Sequence, residues 1–437
     1  MCARKGLAVL GLCYGDEGKG STVEFLSRIY KADVIRFEGG SQAAHHVVLP
    51  NGDWHCFSQI GSGALNGRSS YLYKDMIVDP NALLIEYKVL ASKFLFGGPE
   101  GPFIHPECRI VTKYHKLVGR ARAVALGRST TGMGVGMVAH GYAWAEIKFQ
   151  DLLNYGKELE HKLEVLREWS IHKINTYIRD CPLHESRLRE ILQIAKQETV
   201  ENAGMDIREF LSNKGVAWKE WDLSGLGSRV ILEGSQGALL DYDKGFYPHV
   251  SPVHSQLRYS MLEDLGIKHV TTIGVMRSYM TRHGRGVLVT EDKSLDVLPE
   301  LHNIVEDPYR QGKFRRGWLD LVAVRYGIDI CESIDGLFIT NLDKTDALPE
   351  IAICTGYGCH YHDHVYDRLP AFPKSTVERE RLTQTLLEIP YIDYKTVKHS
   401  IELPDFIEDE LQLPVFGIST GPTWTHKYLR ESFPGVE

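Results

Sequence analysis

A mainly parallel β-sheet covered by helices, forming a single large α/β domain, is the fold class this sequence predicts. Five short apolar runs carry the prediction: "LAVLGL", "DVIRFEGG", "RVILEGSQG", "GLFITNLD" and "VFGISTG". Each is rich in β-formers, and each runs into a glycine or polar loop. Helix-period segments lie between several of them, as with Val23, Leu26 and Tyr30 after the first loop. Strands alternating with helices build parallel sheets with helices on their faces. No repeat, low-complexity tract or clear linker divides the 437 residues, so residues 1–437 are expected to form one unit.

The first element is "GLAVLGLCYGDEGKGSTVEFL", Gly6 to Leu26, which reads as strand, glycine loop and helix. The second, third, fourth and fifth runs repeat the strand-then-loop design. Ligands bind beyond the carboxyl ends of the strands in such sheets, so the five loops should converge on one site. Residues 151–215 differ: "LEHKLEVLREWSIHKINTYI" and the segment after it have helical periodicity and many charges, so a helical insertion is expected there. Residues 350–400 are expected to form a hairpin and helical excursion. Its segment "CTGYGCHYHDHVYD" brings Cys354, Cys359, His360, His362 and His364 close in sequence. No standard structural zinc spacing fits them, and a solvated hairpin is the expectation.

Apolar content of 43% and charged content of 24% are those of a globular protein with a normal core. A net charge of -7 supplies no broad basic field, which argues against nucleic acid as a partner. Eight cysteines follow no spacing framework, which fits a reducing compartment. No run is long and apolar enough for a bilayer, and the short N-terminal run ends in Asp16 and Glu17 rather than a cleavage site. A cytoplasmic protein with no membrane partner is expected.

The opening loop resembles a phosphate-binding loop but breaks its pattern. The pattern needs glycine where Cys13 stands and Ser or Thr where Gly20 stands. Gly15, Gly18 and Gly20 still allow backbone N–H groups to face an anion, and Lys19 can add positive charge. Asp16 is the anomaly. A carboxylate beside phosphates is costly unless it binds a metal or accepts a proton, and both suit Mg²⁺-dependent phosphoryl transfer. In "FEGGSQAAHHV", His45 and His46 follow a strand end and a pair of glycines, which makes them candidates for the same site. In "ITNLDKTD", Asp343 follows a strand, where a carboxylate can accept both N1–H and N2–H₂ of guanine.

The segments "YGDEGKG", "GGSQAAHH", "STTGMGVG", "EGSQGALLDYDKGFYPHV", "RRGWLDLVAVR", "TNLDKTD" and "ISTGP" occur in the order found in adenylosuccinate synthetases. The chain resembles that family from residue 6 to residue 430. The resemblance implies a ligase that joins L-aspartate to C6 of IMP, using GTP and Mg²⁺, and a homodimer. It implies that Asp16 takes the purine N1 proton and touches Mg²⁺ together with Ala44. Lys19, His45 and Gln236 would complete the catalytic set. The nucleotide substrate would be held by Gln42, Thr131, Gln236, Ser251 and Lys313. GTP would be held by Gly15, Glu17, Gly18, Lys19, Gly20, His46, Asn341, Asp343, Ser419 and Gly421, and aspartate by Lys313, Arg315 and Arg316, with Arg310 adding to the basic cluster.

The chain also departs from the family's pattern. Gln42 stands for Asn, Ser251 for Thr, His46 for Thr, and Asn341 for a Lys whose stem stacks on guanine. The arginine that reaches a neighbouring subunit's nucleotide has no counterpart in "AHGYAWAEIKF". "YLYKDMIVDP" stands where the family has IGNGV, and "DPYRQGKFRRGWLD" lacks the Thr pair of the aspartate loop. Three alternatives follow: a relative acting on GMP or dGMP, one using another amine, and a nucleotide-binding paralogue without catalysis. Retention of Asp16, Lys19, His45 and Gln236 argues against the last.

Overall fold

The first strand, β1 (Arg4–Gly11), is a run of apolar residues because both of its faces are buried. Leu7 and Val9 point into one core with Val34, Ile231 and Phe338. Ala8 and Leu10 point into the opposite core with Ile35, Leu232 and Leu337. An inner parallel strand has helices on both sides, which is why alternation of polar and apolar residues is missing. Each fully buried Val or Leu stabilises such a strand by about 1.5–3 kcal/mol.

The computed structural model describes residues 4–93, 101–128, 130–141, 145–300, 312–359, 362–370 and 372–434. Its main sheet has ten strands. Their spatial order is Lys427–Leu429, Val415–Ser419, Gly336–Thr340, Ile267–Arg277, β1, Arg229–Gly237, Asp33–Arg36, Ser70–Leu72, Phe103–Ile104 and Lys219–Glu220. All neighbours pair in parallel except the edge strand Lys427–Leu429. All five runs singled out in the sequence are strands of this sheet. Ile267–Arg277, which pairs with β1 from Ile267 to Val275, is not among those runs because it ends in an arginine instead of a glycine loop.

Helix α1 (Lys19–Tyr30) follows β1 and buries Val23, Phe25 and Leu26 against the sheet. Residues Lys157–Asp180, Glu185–Gln197 and Val200–Ser212 are helices. The first two bury Ile174, Leu188 and Leu192 against Leu117 and Ala121 of the helix Lys113–Leu126, and the third buries Ala203, Ile207 and Phe210 in another cluster. Ile351–Cys359 pairs antiparallel with both His362–Tyr366 and Tyr391–Val397, and a helix spans Thr376–Leu387. The side chains of Cys359, His360, His362 and His364 lie outside the described residues. A separate hairpin, Met280–His283 with Phe314–Gly317, rises beside the loop after β1. No helix among the described residues is long and apolar enough to cross a membrane.

Candidate active site

The carboxyl end of β1 opens into a loop whose backbone only a few residues tolerate. Gly15, Asp16 and Gly18 have φ of 89°, 60° and 89°. Asp is among the few non-glycine residues that enter this left-handed region readily. The anions of the loop then separate in role. Glu17 turns inward: its carboxylate accepts from the backbone N–H of Cys13 (3.0 Å) and Gly15 (2.8 Å) and pairs with Lys19 Nζ at 2.6 Å. Both charged side chains are almost fully buried. The loop's own N–H groups are therefore partly taken, and Glu17 acts as a brace. Asp16 turns outward into a cavity. One of its oxygens lies 3.1 Å from Nε2 of His283, and its backbone carbonyl accepts from Arg277 Nε at 2.5 Å. Burial pushes the Asp16 carboxyl up, but the His283 hydrogen bond and the charges of Arg277 and Lys19 outweigh it and hold it at about 2.

His45 begins the strand His45–Val48, beyond the carboxyl end of Asp33–Arg36. Its Nδ1 lies 2.5 Å from Glu233, and its Nε2 lies 3.4 Å from the carbonyl of Ser235. Glu233 is fully buried and also accepts from the Ser62 N–H (2.9 Å) and hydroxyl (2.5 Å). Burial works against its charge, but Arg36, His45 and Ser62 pull the carboxyl down to about 2. An imidazole with Nδ1–H donated to a carboxylate has a fixed ring orientation.

These groups line one cavity of about 950 Å³. Its floor is made by the ends of β1, Arg229–Gly237, Ile267–Arg277 and Gly336–Thr340, so the loops converge as strand polarity requires. At one end Gly18 packs on Thr340, whose hydroxyl donates to the Glu17 carbonyl at 2.7 Å. Asn341, Asp343, Ser419 and Gly421 line this end, together with Gly15, Gly20 and His46. At the other end Gly40 packs on Val135 and Gly136 on Pro252. There Gln42, Ala44, Thr131, Gln236 and Ser251 line the wall. Both amide atoms of Gln42, the Gln236 Nε2 and the Ser251 Oγ are buried with no hydrogen-bond partner. Buried polar atoms are rarely left so, and four in one cavity point to a polar ligand.

The three residues expected from the sequence to hold aspartate, Lys313, Arg315 and Arg316, stand outside this cavity. Arg315 pairs with Glu291 and donates to the carbonyls of Gly284 (3.0 Å) and Gly286 (2.9 Å). Arg316 donates to Asp296 and to the Leu298 carbonyl, both at 3.2 Å. On a strand, neighbouring residues face opposite sides, and here hairpin partners claim both guanidiniums. Residues 301–311, including Arg310, lie outside the described residues. Sequence reasoning missed Arg277, Arg282, His283, Glu300 and Lys344, all of which line the cavity. Arg277 pairs with Glu300 at 2.6 Å, and Lys344 with the same carboxylate at 3.2 Å. Lys344 stands inside the quoted "TNLDKTD" motif and Arg282 bonds to the nearby Arg285 and Val287 carbonyls, but nothing local signals Arg277, His283 and Glu300, whose partners are distant in sequence. Glu233, by contrast, stands inside the quoted "EGSQG" motif.

A family profile described as adenylosuccinate synthetase matches residues 8–427. The chain belongs to the adenylosuccinate synthetase family. It is 31% identical to the adenylosuccinate synthetase of Nitrosomonas eutropha, over 96% of each chain. It is also 31% identical to that of Dichelobacter nodosus, over 98% of this chain and 99% of the relative. Among solved structures, fully ligated adenylosuccinate synthetase from Plasmodium falciparum superposes with a TM-score of 0.69 at 21% identity. That match covers 97% of this chain and 99% of the other. The cyanophage S-2L succinoaminodeoxyadenylate synthetase, bound to dGMP and dATP, gives a TM-score of 0.55 at 14% identity, over 98% and 95%. Both structural likenesses speak for the fold. Membership makes the chain a carbon–nitrogen ligase of purine biosynthesis in a GTP-dependent family.

Proposed function

We propose that this enzyme couples L-aspartate to C6 of IMP through a 6-phosphoryl intermediate, with GTP as phosphoryl donor. The observation that carries the reading is the single cavity that joins an outward carboxylate, Asp16, to the unpartnered Gln42, Gln236 and Ser251 atoms. Asp16 accepts the N1 proton of the purine. The O6 lone pair then forms a bond to the γ-phosphorus of GTP as the bond to the β–γ bridging oxygen breaks. His45, held by Glu233, and Lys19 stabilise the charge that develops on the phosphates. The aspartate amine, having lost a proton, displaces phosphate at C6. Base and donor in one pocket convert a poor leaving group into a good one.

Mg²⁺ suits the residues present. Among the described residues no group of three or more His, Cys, Asp or Glu is placed to hold a metal. Mg²⁺ takes one or two carboxylates and completes its shell with phosphates and water. Asp16 and the Ala44 carbonyl would hold it, and it would neutralise phosphate charge. A cytoplasmic location is proposed from the cysteine usage, and a homodimer from the family resemblance.

The test is a panel of amines with IMP and with dGMP, following phosphate release and product mass. The expected result is turnover with aspartate and IMP. Activity with an uncharged or cationic amine, and none with aspartate, would overturn the donor assignment. Product from dGMP alone would move the purine assignment to the 2-amino series.

GTP should also exceed ATP in kcat/KM. Asp343 lines the cavity at the opening of the short helix Leu342–Thr345, and its carboxylate has no hydrogen bond to another described residue. A site built around two purine donors leaves its own acceptor unpaired when they are absent. Asp343→Ala should reduce the preference roughly 10-fold or more, the scale of one charge-assisted pair. Equal kcat/KM for the two nucleotides in the parent enzyme would refute the role.

A further inference from the structure

The end of the cavity away from the guanine-pocket residues is crowded with arginine. Arg282 donates to the carbonyls of His249 (2.8 Å), Arg285 (3.2 Å) and Val287 (3.0 Å), which ties the 282–287 turn against His249. Gly286 sits so close that a Cβ there would meet the His249 Cβ at 2.8 Å. Arg128 comes from the other side, its guanidinium 5.9 Å over the ring of Tyr247. Arg315 is also near, and the charges of Arg282, Arg128, Arg285 and Arg315 add to burial in holding His249 at about 4.

These four cations are not equivalent. Arg282 is occupied by main-chain carbonyls, and Arg315 by Glu291 and two carbonyls. Arg128 and Arg285 line the cavity with no carboxylate or carbonyl acceptor among the described residues. Two residues past His249, the buried Ser251 hydroxyl also has no partner. Two guanidiniums without a carboxylate or carbonyl partner among the described residues, beside a hydroxyl that can donate, form a donor-rich wall. Such a wall requires an anionic ligand.

We propose that Arg128 and Arg285 together cradle the phosphate monoester of the substrate nucleotide, with Ser251 as a third donor. The inference rests on the purine-nucleotide reading above and adds these residues to it. The polyphosphate of GTP is assigned to the loop after β1, which leaves the dianion of the acceptor nucleotide and the carboxylates of aspartate for this end; the unpartnered Ser251 hydroxyl, on the same wall as the unpartnered Gln42 and Gln236 amides, favours the nucleotide. Both arginines come from the same chain as Asp16.

Binding of IMP and of inosine, without GTP or aspartate, tests the cradle in the full chain. The variants are Arg128→Ala, Arg285→Ala and Arg285→Lys. Each alanine variant should weaken IMP binding roughly 10- to 100-fold, as expected for a charge-assisted hydrogen bond, and leave inosine within about twofold. Arg285→Lys should recover part of the loss. Unchanged IMP affinity in both alanine variants overturns the proposal, as does an equal loss for inosine, which would mean a collapsed wall. A rise in the aspartate KM alone, with IMP binding unmoved, overturns it in favour of a carboxylate site. Phosphate-dependent binding that disappears in the variants, in a chain that ligates no amine, would sink the ligase reading and uphold the cradle.

Discussion

Replacing Asp16 by Asn is expected to leave nucleotide binding close to that of the parent and to cut kcat by on the order of 10²–10⁴-fold, the usual penalty for losing a general base. The structure makes this a clean substitution. Asp16 has φ of 60°, and Asn enters that region as readily as Asp, so the loop keeps its path. The Arg277 contact is to the backbone carbonyl and does not depend on the side chain. The amide oxygen of Asn can still accept from His283, which lies 3.1 Å from the carboxylate. Glu17, the neighbouring acid, cannot substitute, because Cys13, Gly15 and Lys19 already occupy its carboxylate. Only proton acceptance and the metal ligand are lost. Steady-state phosphate release gives kcat, and equilibrium binding of IMP separates affinity from turnover. A variant with near-parental kcat would sink the assignment of Asp16 as base.

The same loop shows what the sequence makes legible and what it hides. Asp16 was readable because a carboxylate in a glycine loop is anomalous, and anomalies in local pattern survive without coordinates. The five strand-to-loop runs were readable for the same reason, since a β-rich run ending in glycine is a local signal. Glu17 was expected among the GTP-binding residues, and its role as a brace was not legible. That it folds back onto the N–H groups of Cys13 and Gly15 depends on loop geometry, not on composition. Arg315 and Arg316 were expected at the aspartate site because the loop's resemblance to the family places bidentate cations there. Their partners, Glu291 and Asp296, lie about two dozen residues or fewer away and meet them only when the 280–317 hairpin forms. Arg277, Arg285 and His283 reach the cavity through strand pairing and a turn, and isolated Arg and His residues carry no such mark in a sequence.

The second large effect is expected at Glu233, which sequence reasoning quoted but gave no role. Glu233→Gln should destabilise the fold by about 3–5 kcal/mol, the scale for leaving a buried charge, here that of Arg36, uncompensated. It should also lower kcat, because His45 loses the carboxylate that orients it. Three donors converge on this side chain: His45 Nδ1, the Ser62 N–H and the Ser62 hydroxyl. Glutamine offers one acceptor and turns an NH₂ towards at least one of those donors. The charge matters as much. Arg36 is fully buried, and its hydrogen bonds go to the neutral Ser235 hydroxyl (2.7 Å) and Ile60 carbonyl (3.4 Å). Two other acids near Arg36, Glu38 and Glu86, are pushed up by burial to about 7, so Glu233, held at about 2, is the firmly ionised counter-charge. The sign of the pH dependence follows. A depressed carboxyl adds stability above its unfolded value, about 4.3, and loses it as pH falls through the folded value. The gap in unfolding free energy between parent and Glu233→Gln should therefore be full at pH 7 and narrow as pH drops from about 4.3 towards 2. Urea unfolding at several pH values measures it, and Ser62→Ala, which removes one hydroxyl donor and no charge, is the control. A pH-independent gap would mean that lost packing, and not the Arg36–Glu233–His45 charge arrangement, sets the cost.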